Sequence, residues 1–526
     1  MPSSEPLRKA FQSLRRTTIR TMVGCTVVAG TLEVTTHLPS QGRSSAFYHA
    51  LADDWLVPGM RRCLGPEAAH KAALRIAFLA PTHRPSAKEQ RLNVQVRLWG
   101  GNNNNNTNTN NTAARVFPNP IGLAAGYDKD GTAIGPLLAM GFGFVEVGSV
   151  CLEAQPGNPS PRMFRLTQDE AIINRYGFNS MGADAVEDHL KEYRSSQSTA
   201  AVATTTTTSG PVSWEQKLLH SLWSRVSALL PVEGADGNAN TSSSSSSSSS
   251  SGLVGINLGK NKTSTTPLED YQKLILQLGP YADYLVVNVS CPNISGLRDL
   301  QSTSSLEGLL KGCQEACSQL ADKINVDNND NTDAIASTKR QPPPLLVKLS
   351  PDLTDSELED IAAVLMKVGI DGIVVTNTTT SRPTGLVSPN KAEQGGLSGK
   401  PLKERSTECI RVLYRFTKGT IPIIGVGGVQ NGHDAYEKLR AGASLVQVYS
   451  GMIYEGPGMV SKIRDEVAEL MLLNGQRDLQ TDVVGIDHDD LFFQRKRRQR
   501  ERTMTTTTIM AMATSMSTTP TERRAP

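Results

Sequence analysis

The chain has 526 residues and a formal net charge of only +3 at pH 7. A (β/α)₈ barrel takes about 250 residues, so this length allows one barrel with long inserts as well as several domains. The small net charge excludes a strongly basic surface, and we expect no nucleic-acid partner. The seven cysteines include no C-x-x-C pair, which argues against a disulfide framework, a zinc ribbon or an iron–sulfur cluster, so we expect no metal.

Residues 1–45 are predicted to contain a mitochondrial transit peptide and a short apolar segment that is a candidate membrane anchor. The first 20 residues carry five Arg or Lys side chains against one acidic residue, Glu5. That composition is typical of transit peptides, although a disordered basic tail has a similar one. The apolar stretch at residues 21–32 is short for a membrane span.

Residues 46–82 are predicted to form two short amphipathic helices, with breaks at Pro58-Gly59 and Gly65-Pro66. Apolar residues and one histidine recur every four positions on either side of these breaks, at Phe47, Leu51, Trp55, His70, Leu74 and Phe78. Two interpretations remain open for these helices. They pack on the following domain as plain structure, or they lie in a membrane interface and admit an apolar ligand.

Residues 83–490 are predicted to form the barrel. A strand-like stretch at 91–99 and Val116-Phe117 predict a hairpin with an expanded turn. Eight apolar strand-like runs then alternate with helical patterns, at 121–125, 144–147, 253–258, 284–289, 345–349, 372–375, 421–426 and 445–449. Right-handed crossovers between parallel strands lead to a closed (β/α)₈ barrel, in which the active site lies at the carboxyl ends of the strands.

Low-complexity tracts interrupt this domain, and we expect them to be disordered inserts near residues 101–114, 195–251 and 325–344. The second and third tracts follow a helix and precede a strand, which places them on the barrel face opposite the active site. Residues 491–526 are predicted to be a disordered basic tail. A nuclear-import or anionic-lipid role for this tail is the less favoured alternative.

The predicted carboxyl ends of the strands carry amides, lysines and glycines. Glycine-rich backbone after the seventh and eighth strands is typical of a phosphate site. The absence of a carboxylate cluster argues against metal-dependent hydrolysis and glycosidase chemistry. Asn side chains suit a planar ligand with amide N–H and C=O groups, while Lys129 and Lys348 suit a substrate carboxylate or an anionic flavin.

The same stretches resemble the dihydroorotate dehydrogenases, flavoenzymes of pyrimidine synthesis, in their membrane-associated, quinone-using class. The resemblance covers roughly residues 47–488. It is carried by A-A-G-Y-D-K at 124–129, G-F-G-F-V-E-V-G-S-V at 141–150, I-N-R-Y-G-F-N-S at 173–180, N-L-G-K-N-K at 257–262, N-V-S-C-P-N at 288–293, V-T-N-T-T at 375–379, G-G-L-S-G-K-P-L at 395–402 and I-I-G-V-G-G-V at 423–429.

The resemblance implies oxidation of dihydroorotate to orotate, with proton removal from C5 by an enzymic base, hydride transfer from C6 to FMN, and ubiquinone as acceptor at the mitochondrial inner membrane. It implies FMN contacts from Ala124, Ala125, Gly126, Ser149, Asn257, Asn288, Lys348, Thr376, Ser398, Gly399, Gly427, Gly428, Tyr449 and Ser450. It implies substrate contacts from Lys129, Asn174, Arg175, Tyr176, Gly177, Phe178, Asn288, Asn293, Asn377 and Thr378. Residues 46–82 would form the quinone-access domain, with His70, Arg165 and Tyr449 as the polar lining of its tunnel.

The residue at the position of the catalytic base departs from this class. The quinone-using enzymes normally carry serine there, whereas this chain carries Cys291, as the soluble class does. A thiol has an ordinary pKa of about 8.5, which makes it a credible base near neutral pH. Cys291 therefore keeps open the alternative of a soluble, fumarate-type dihydroorotate dehydrogenase. A separate alternative is a non-redox barrel that binds a phosphate.

Overall fold

The computed structural model describes residues 51–488 and 490, apart from 81, 84, 100–114, 203–251, 295 and 330–340. The predicted transit peptide, most of each predicted insert and the predicted basic tail lie outside the described residues. Those interpretations therefore stay predictions.

A closed barrel of eight parallel strands forms the centre of the fold, as the sequence predicts. In chain order the strands are β1 (Val96–Leu98), β2 (Arg115–Phe117), β3 (Ile121–Leu123), β4 (Phe144–Val150), β5 (Met163–Leu166), β6 (Ala171–Asn174), β7 (Leu253–Leu258), β8 (Tyr284–Asn288), β9 (Leu345–Leu349), β10 (Gly372–Val375), β11 (Gly396–Gly399), β12 (Ile423–Val426) and β13 (Leu445–Val448). The barrel runs β3–β4–β7–β8–β9–β10–β12–β13 and closes between β13 and β3. These are the eight predicted strands, with small differences at their ends.

Helices cover the outside of the barrel, which is why the strands are buried on both faces and read as continuous apolar runs. The α-helices are α1 (Val57–Cys63), α2 (Pro66–Ile76), α3 (Ile134–Ala139), α4 (Ala183–Val202), α5 (Pro267–Leu278), α6 (Thr303–Asn329), α7 (Asp355–Val368), α8 (Lys403–Phe416), α9 (Gly432–Arg440), α10 (Ser450–Glu455), α11 (Met459–Leu473) and α12 (Leu479–Asp482). Local signals set their ends. In α7, Thr354 and Glu357 form a capping box, and Gly369 ends the helix in the left-handed conformation.

The helices α4 and α6 extend further than the sequence predicts. They end at Val202 and Asn329, so each continues past the start of a predicted insert. Both inserts leave from the carboxyl end of a helix and return at the start of a strand. The chain therefore enters and leaves them on the face opposite the carboxyl ends of the strands, as expected.

The N-terminal helices pack against the barrel side that carries β5 and α10. A π-helix, Leu51–Leu56, runs directly into α1, and Pro58 lies in the first turn of that helix. The predicted break at Pro58-Gly59 is therefore wrong, because a first-turn proline lacks only an N–H that has no partner within the helix. The second predicted break is present, since α2 begins at Pro66.

A three-stranded antiparallel sheet was not predicted. Strand β6 pairs with both β5 and β11, and Ile173 faces Phe164 on one side and Leu397 on the other. A small apolar cluster under this sheet includes Leu166 and Leu386. The sheet brings a segment near residue 170 and a segment near residue 398 to the same edge of the barrel mouth.

The predicted hairpin is present, since β1 and β2 pair with Val96 opposite Phe117. No helix in the described part of the chain combines the length and apolar character needed to cross a bilayer. Within the same residues there is no cluster of three or more His, Cys, Asp or Glu side chains placed to hold a metal ion.

Candidate active site

A deep cavity opens at the carboxyl ends of the barrel strands. The cavity and its solvent-open mouth together enclose about 1040 Å³ of empty space. Its wall includes Cys291, every residue predicted to contact FMN except Asn257, and every residue predicted to contact substrate except Arg175. The barrel thus brings together residues that are more than 300 positions apart in the chain.

Asn257 lies beneath the cavity wall and is fully buried. Its Oδ1 accepts hydrogen bonds from Asn288 Nδ2, at 3.0 Å, and from the hydroxyl of Ser149. Asn257 therefore supports two cavity residues without lining the cavity itself.

Arg175 points away from the cavity. Its Nη1 donates to Glu393 Oε2 at 2.6 Å, and its guanidinium lies 4.5 Å from the centre of the Phe164 ring. The prediction that Arg175 contacts the substrate therefore has no support in this geometry, although its neighbours Tyr176 and Gly177 do line the cavity.

Glycine backbone forms one end of the cavity. Gly427 and Gly428 have φ angles of +120° and +72°, which L side chains rarely adopt. A Cβ on Gly428 would lie 2.4 Å from the Cα of Lys403, so this position has no room for a side chain. Two hydroxyls face the same region, since Ser450 Oγ donates to Ser398 Oγ at 2.8 Å. Backbone N–H groups and hydroxyls that line a cavity suit the oxygens of a phosphate.

The Cys291 thiol also lies in the cavity wall, three residues beyond the end of β8. It is 8% exposed and packs in an apolar cluster with Phe178 and Ile294. Burial raises the pKa of this thiol, and the positive charges of Lys129 and the other nearby cations partly oppose that shift. The thiolate is therefore the minor form at neutral pH.

The Lys129 ammonium lies 3.9 Å from the centre of the Tyr176 ring and donates to Asn179 Oδ1. Burial lowers its pKa to about 8, and the positive charge of Arg162 adds to this effect. At neutral pH this group is still mostly charged, so it can bind a substrate carboxylate.

Three amide side chains line the same cavity as the thiol and the lysine. Asn377 Nδ2 donates to Asn288 Oδ1 at 3.2 Å and to Ser290 Oγ at 3.0 Å. Asn293 Nδ2 donates to the backbone oxygen of Asn174 at 3.2 Å. The remaining donors and acceptors of these side chains suit a ring that carries alternating N–H and C=O groups.

Several residues at the site were not predicted from the sequence. Gln447 and Asn179 line the cavity, and Glu146 lies buried below its floor. Glu146 is on β4, within a stretch that carries the family resemblance, and a charged residue inside an apolar strand was the available signal.

A second, mostly apolar cavity lies between α1, α2 and the barrel. It is lined by Ala52, Leu56, Val57, Met60, Arg61, Pro66, Ala69, His70, Ala73, Ile76, Ala77, Tyr127, Met140, Arg165, Met452, Ile453 and Pro457. Two of the three residues predicted for the quinone tunnel, His70 and Arg165, are among them. The third, Tyr449, lies in the wall of the first cavity.

Three aromatic rings connect the two cavities. The Tyr127 ring centre lies 4.9 Å from that of His70 and 5.7 Å from that of Tyr449. His70 Nε2 bonds to the backbone oxygen of Tyr127 at 2.7 Å, and burial lowers the pKa of His70 to about 4, so the imidazole is neutral. These rings therefore lie between a polar site and an apolar one.

Arg165 brings buried hydrogen-bond donors into the apolar cavity. Its Nη1 donates to the backbone oxygens of Arg61 and Leu64 at 2.8 and 3.2 Å. Its Nε and Nη2 atoms are buried and have no hydrogen-bond partner among the described residues. Buried donors of this kind normally have a partner, so the cavity suits a ligand with an acceptor oxygen on an apolar body.

Comparison with known proteins agrees with this geometry. The sequence profile of the family described as "Dihydroorotate dehydrogenase" matches residues 108–471. The mitochondrial dihydroorotate dehydrogenase (quinone) of Mus musculus is 42% identical over 436 residues, which are 83% of this chain and 90% of the relative. The dihydroorotate dehydrogenase (quinone) of Rhodospirillum rubrum is 39% identical over 427 residues, 81% of this chain and 92% of the relative.

A crystal structure of the Eimeria tenella DHODH in complex with ferulenol has the same fold. It is 35% identical, superposes with a TM-score of 0.63, and covers 82% of this chain and 99% of its own. The extent of these matches, together with the two cavities of the barrel, shows that the chain belongs to the dihydroorotate dehydrogenases, a family of oxidoreductases.

Proposed function

We propose that this protein oxidises (S)-dihydroorotate to orotate in pyrimidine synthesis, with FMN in the first cavity and a quinone in the second. The observation that carries the proposal is the adjacency of the two cavities. A polar cavity with a buried thiol and an apolar cavity with the buried Nε and Nη2 atoms of Arg165 meet at the rings of Tyr127 and Tyr449. An enzyme that passes electrons from a polar substrate to an apolar acceptor needs such a pair of sites.

The residues of the first cavity fit FMN. Gly427 and Gly428 line the cavity with bare backbone, whose N–H groups would bind a phosphate. The hydroxyl of Thr376 and Oε1 of Gln447 are buried without a hydrogen-bond partner among the described residues, and both residues line the cavity. These atoms, with Lys348, would hold the polar edge of a flavin ring.

We assign the substrate to the part of the cavity between Cys291 and Lys129. The Lys129 ammonium would pair with the substrate carboxylate, and the amides of Asn288, Asn293 and Asn377 would bind the ring N–H and C=O groups. Cys291 would accept the C5 proton at Sγ as a thiolate, and the apolar cluster around it would exclude water. When bound, FMN supplies the two-electron acceptor for the substrate.

The second cavity would take the quinone. Its apolar wall suits an isoprenoid-bearing ring, and Arg165 would donate hydrogen bonds to the quinone oxygens. Neutral His70 would line the same tunnel, with its N–H already bonded to Tyr127. Residues 46–82 would thus be the quinone-access domain. We further propose a mitochondrial location at the inner membrane, supported by the basic N-terminal composition and by the mitochondrial relatives.

Anaerobic stopped-flow mixing tests each half of this proposal. Dihydroorotate should bleach the flavin absorbance of the purified protein, and a ubiquinone analogue should restore it faster than fumarate does. Preference for fumarate would support the soluble type that Cys291 suggests. Bound FMN without bleaching would contradict the substrate, and a purified protein that binds no flavin would contradict the redox function.

Deletion of residues 1–80 separates the quinone site from the substrate site. We expect reoxidation by quinone to slow much more than bleaching by dihydroorotate, because the second cavity loses α1 and α2. Equal losses in both half-reactions would show that these helices are only structural.

A further inference from the structure

Glu146 is a fully buried carboxylate below the floor of the first cavity. Its Oε1 accepts from Asn257 Nδ2 at 2.8 Å, and its Oε2 accepts from Gln447 Nε2 at 2.6 Å. The hydroxyl of Tyr284 donates to Oε2 at 3.4 Å, and the Lys348 ammonium lies 3.8 Å from Oε1. A buried carboxylate is costly without such partners, and every partner here is a donor.

These contacts decide which way two amide side chains face. A carboxylate only accepts hydrogen bonds, so the NH₂ groups of Asn257 and Gln447 must turn towards Glu146 and their oxygens must turn away. The oxygen of Asn257 therefore faces Asn288 and Ser149, which are cavity residues. The oxygen of Gln447 is buried and lacks a hydrogen-bond partner among the described residues.

Glu146 also fixes the position of a charge. Lys348 is 5% exposed, lines the cavity and lies opposite Asn288 in the β8–β9 pairing. Its ammonium has a carboxylate on the floor side and the cavity on the other. Any anionic charge that develops on a bound ring therefore competes with Glu146 for the same cation.

We propose that Glu146 is a positioning residue for the cofactor: it orients Gln447 to offer an acceptor oxygen to a ring N–H, and it holds and partly neutralises Lys348. The inference rests on the proposed use of FMN. It adds Gln447 as a direct cofactor contact and Glu146 as the group that sets its orientation. The phosphate end of the cofactor, at Gly427 and Gly428, is independent of this network.

The Glu146→Gln variant of the full chain tests the proposal. The new amide places an NH₂ group among donors, so at least one partner must turn or lose its hydrogen bond. We expect the Kd for FMN to rise at least about tenfold. The Kd for riboflavin should rise by the same factor, because the phosphate contacts are unchanged. The absorption spectrum of the bound flavin should shift, and its midpoint potential should rise because Lys348 loses its counter-charge.

Two further variants separate positioning from a general loss of packing. Tyr284→Phe removes the longest hydrogen bond to Glu146 and leaves both amides in place, so its Kd should stay within about twofold of the wild-type value. Gln447→Met removes the acceptor oxygen but keeps the carboxylate, so the Kd should rise while the midpoint potential changes less than in Glu146→Gln.

A folded Glu146→Gln protein with the wild-type Kd and spectrum would overturn the proposal. If that variant does not fold, Gln447→Met decides, and an unchanged Kd for FMN would overturn it. A wild-type protein that binds no flavin at all would instead contradict the function proposed above, so the two failures are distinguishable.

Discussion

The carboxylate of Glu67 holds the guanidinium of Arg162 at two points, with Nη2 2.8 Å from Oε1 and Nε 3.2 Å from Oε2. Glu67 is on α2, whereas Arg162 precedes β5. The Arg162 guanidinium lies 4.8 Å from the centre of the Tyr176 ring, and the Lys129 ammonium lies 3.9 Å from the same centre. One ion pair therefore connects the helices of the apolar cavity to the substrate end of the polar cavity.

Glu67→Gln should weaken the attachment of α2 to the barrel. The side chains of Glu67 and Arg162 are 24% and 12% exposed. The free energy of unfolding should therefore fall by about 1 kcal/mol in the variant. Hydrogen bonds from Arg162 lower the pKa of Glu67 to about 2. Because this pKa is depressed on folding, the stabilisation is present above the ordinary carboxyl pKa near 4.5 and declines as the pH falls towards 2.

Chemical denaturation at pH 7 and pH 3.5 measures this effect, and the difference between wild type and variant should be smaller at the lower pH. Lys71→Met is the matched control, since Lys71 pairs with the same carboxylate but is 66% exposed. That control should leave the stability unchanged at both pH values. A larger difference at pH 3.5 would contradict the assigned ion pair.

Cys291→Ala should abolish turnover while FMN stays bound. The thiol lies outside the glycine backbone that would hold the phosphate, so the variant loses the base and keeps the cofactor site. We expect kcat to fall by about 10²–10⁴-fold. Steady-state kinetics and the flavin content of the purified protein are the two measurements.

Cys151→Ala is the control for Cys291. Cys151 is a buried thiol of the same apolar cluster, but it does not line the cavity. Its variant should retain turnover. Loss of flavin together with activity in Cys291→Ala would argue against the assignment of Cys291 as the base.

The pH profile should show opposite slopes from two groups. Burial raises the pKa of Cys291, so the thiolate fraction and kcat should increase as the pH rises through the neutral range. The pKa of Lys129 is lowered to about 8, so the free enzyme loses this positive charge above that pH. The KM for dihydroorotate should therefore rise above about pH 8, and kcat/KM should pass through a maximum.

Lys129→Met checks the alkaline part of this profile. The variant should have a lower kcat/KM at pH 7 and no rise in KM near pH 8, because the titrating ammonium is gone. A rise in KM near pH 8 that persists in the variant would come from another group.

Gly428→Ala should prevent tight binding of FMN. A Cβ there would lie 2.4 Å from the Cα of Lys403, in a backbone conformation with φ +72°. Gly385→Ala is the matched control, since its φ is +99° but no atom lies within 4 Å of the new Cβ. Both variants carry backbone strain of about 1–2 kcal/mol. Only the first should lose affinity for FMN, measured by fluorescence titration.

The sequence by itself determined the barrel and most of the cavity wall. Apolar runs such as 253–258, 345–349 and 372–375 coincide with β7, β9 and β10. A parallel strand that is buried on both faces needs apolar side chains at almost every position, so its sequence is a continuous apolar run. Since the carboxyl ends of all barrel strands meet at one face, residues as distant as Lys129 and Tyr449 could be placed in one site from the sequence.

Only the tertiary structure decided the direction and partners of individual side chains. Arg175 lies within a stretch that carries the family resemblance, yet its side chain points away from the cavity and bonds to Glu393. Asn257 lies beneath the cavity wall. The β11–β6 pairing joins Ser398 to Ile172, which are more than 200 residues apart. Strand register, local packing and buried charges such as Glu146 set these contacts, and none of them is encoded in the local period of the sequence.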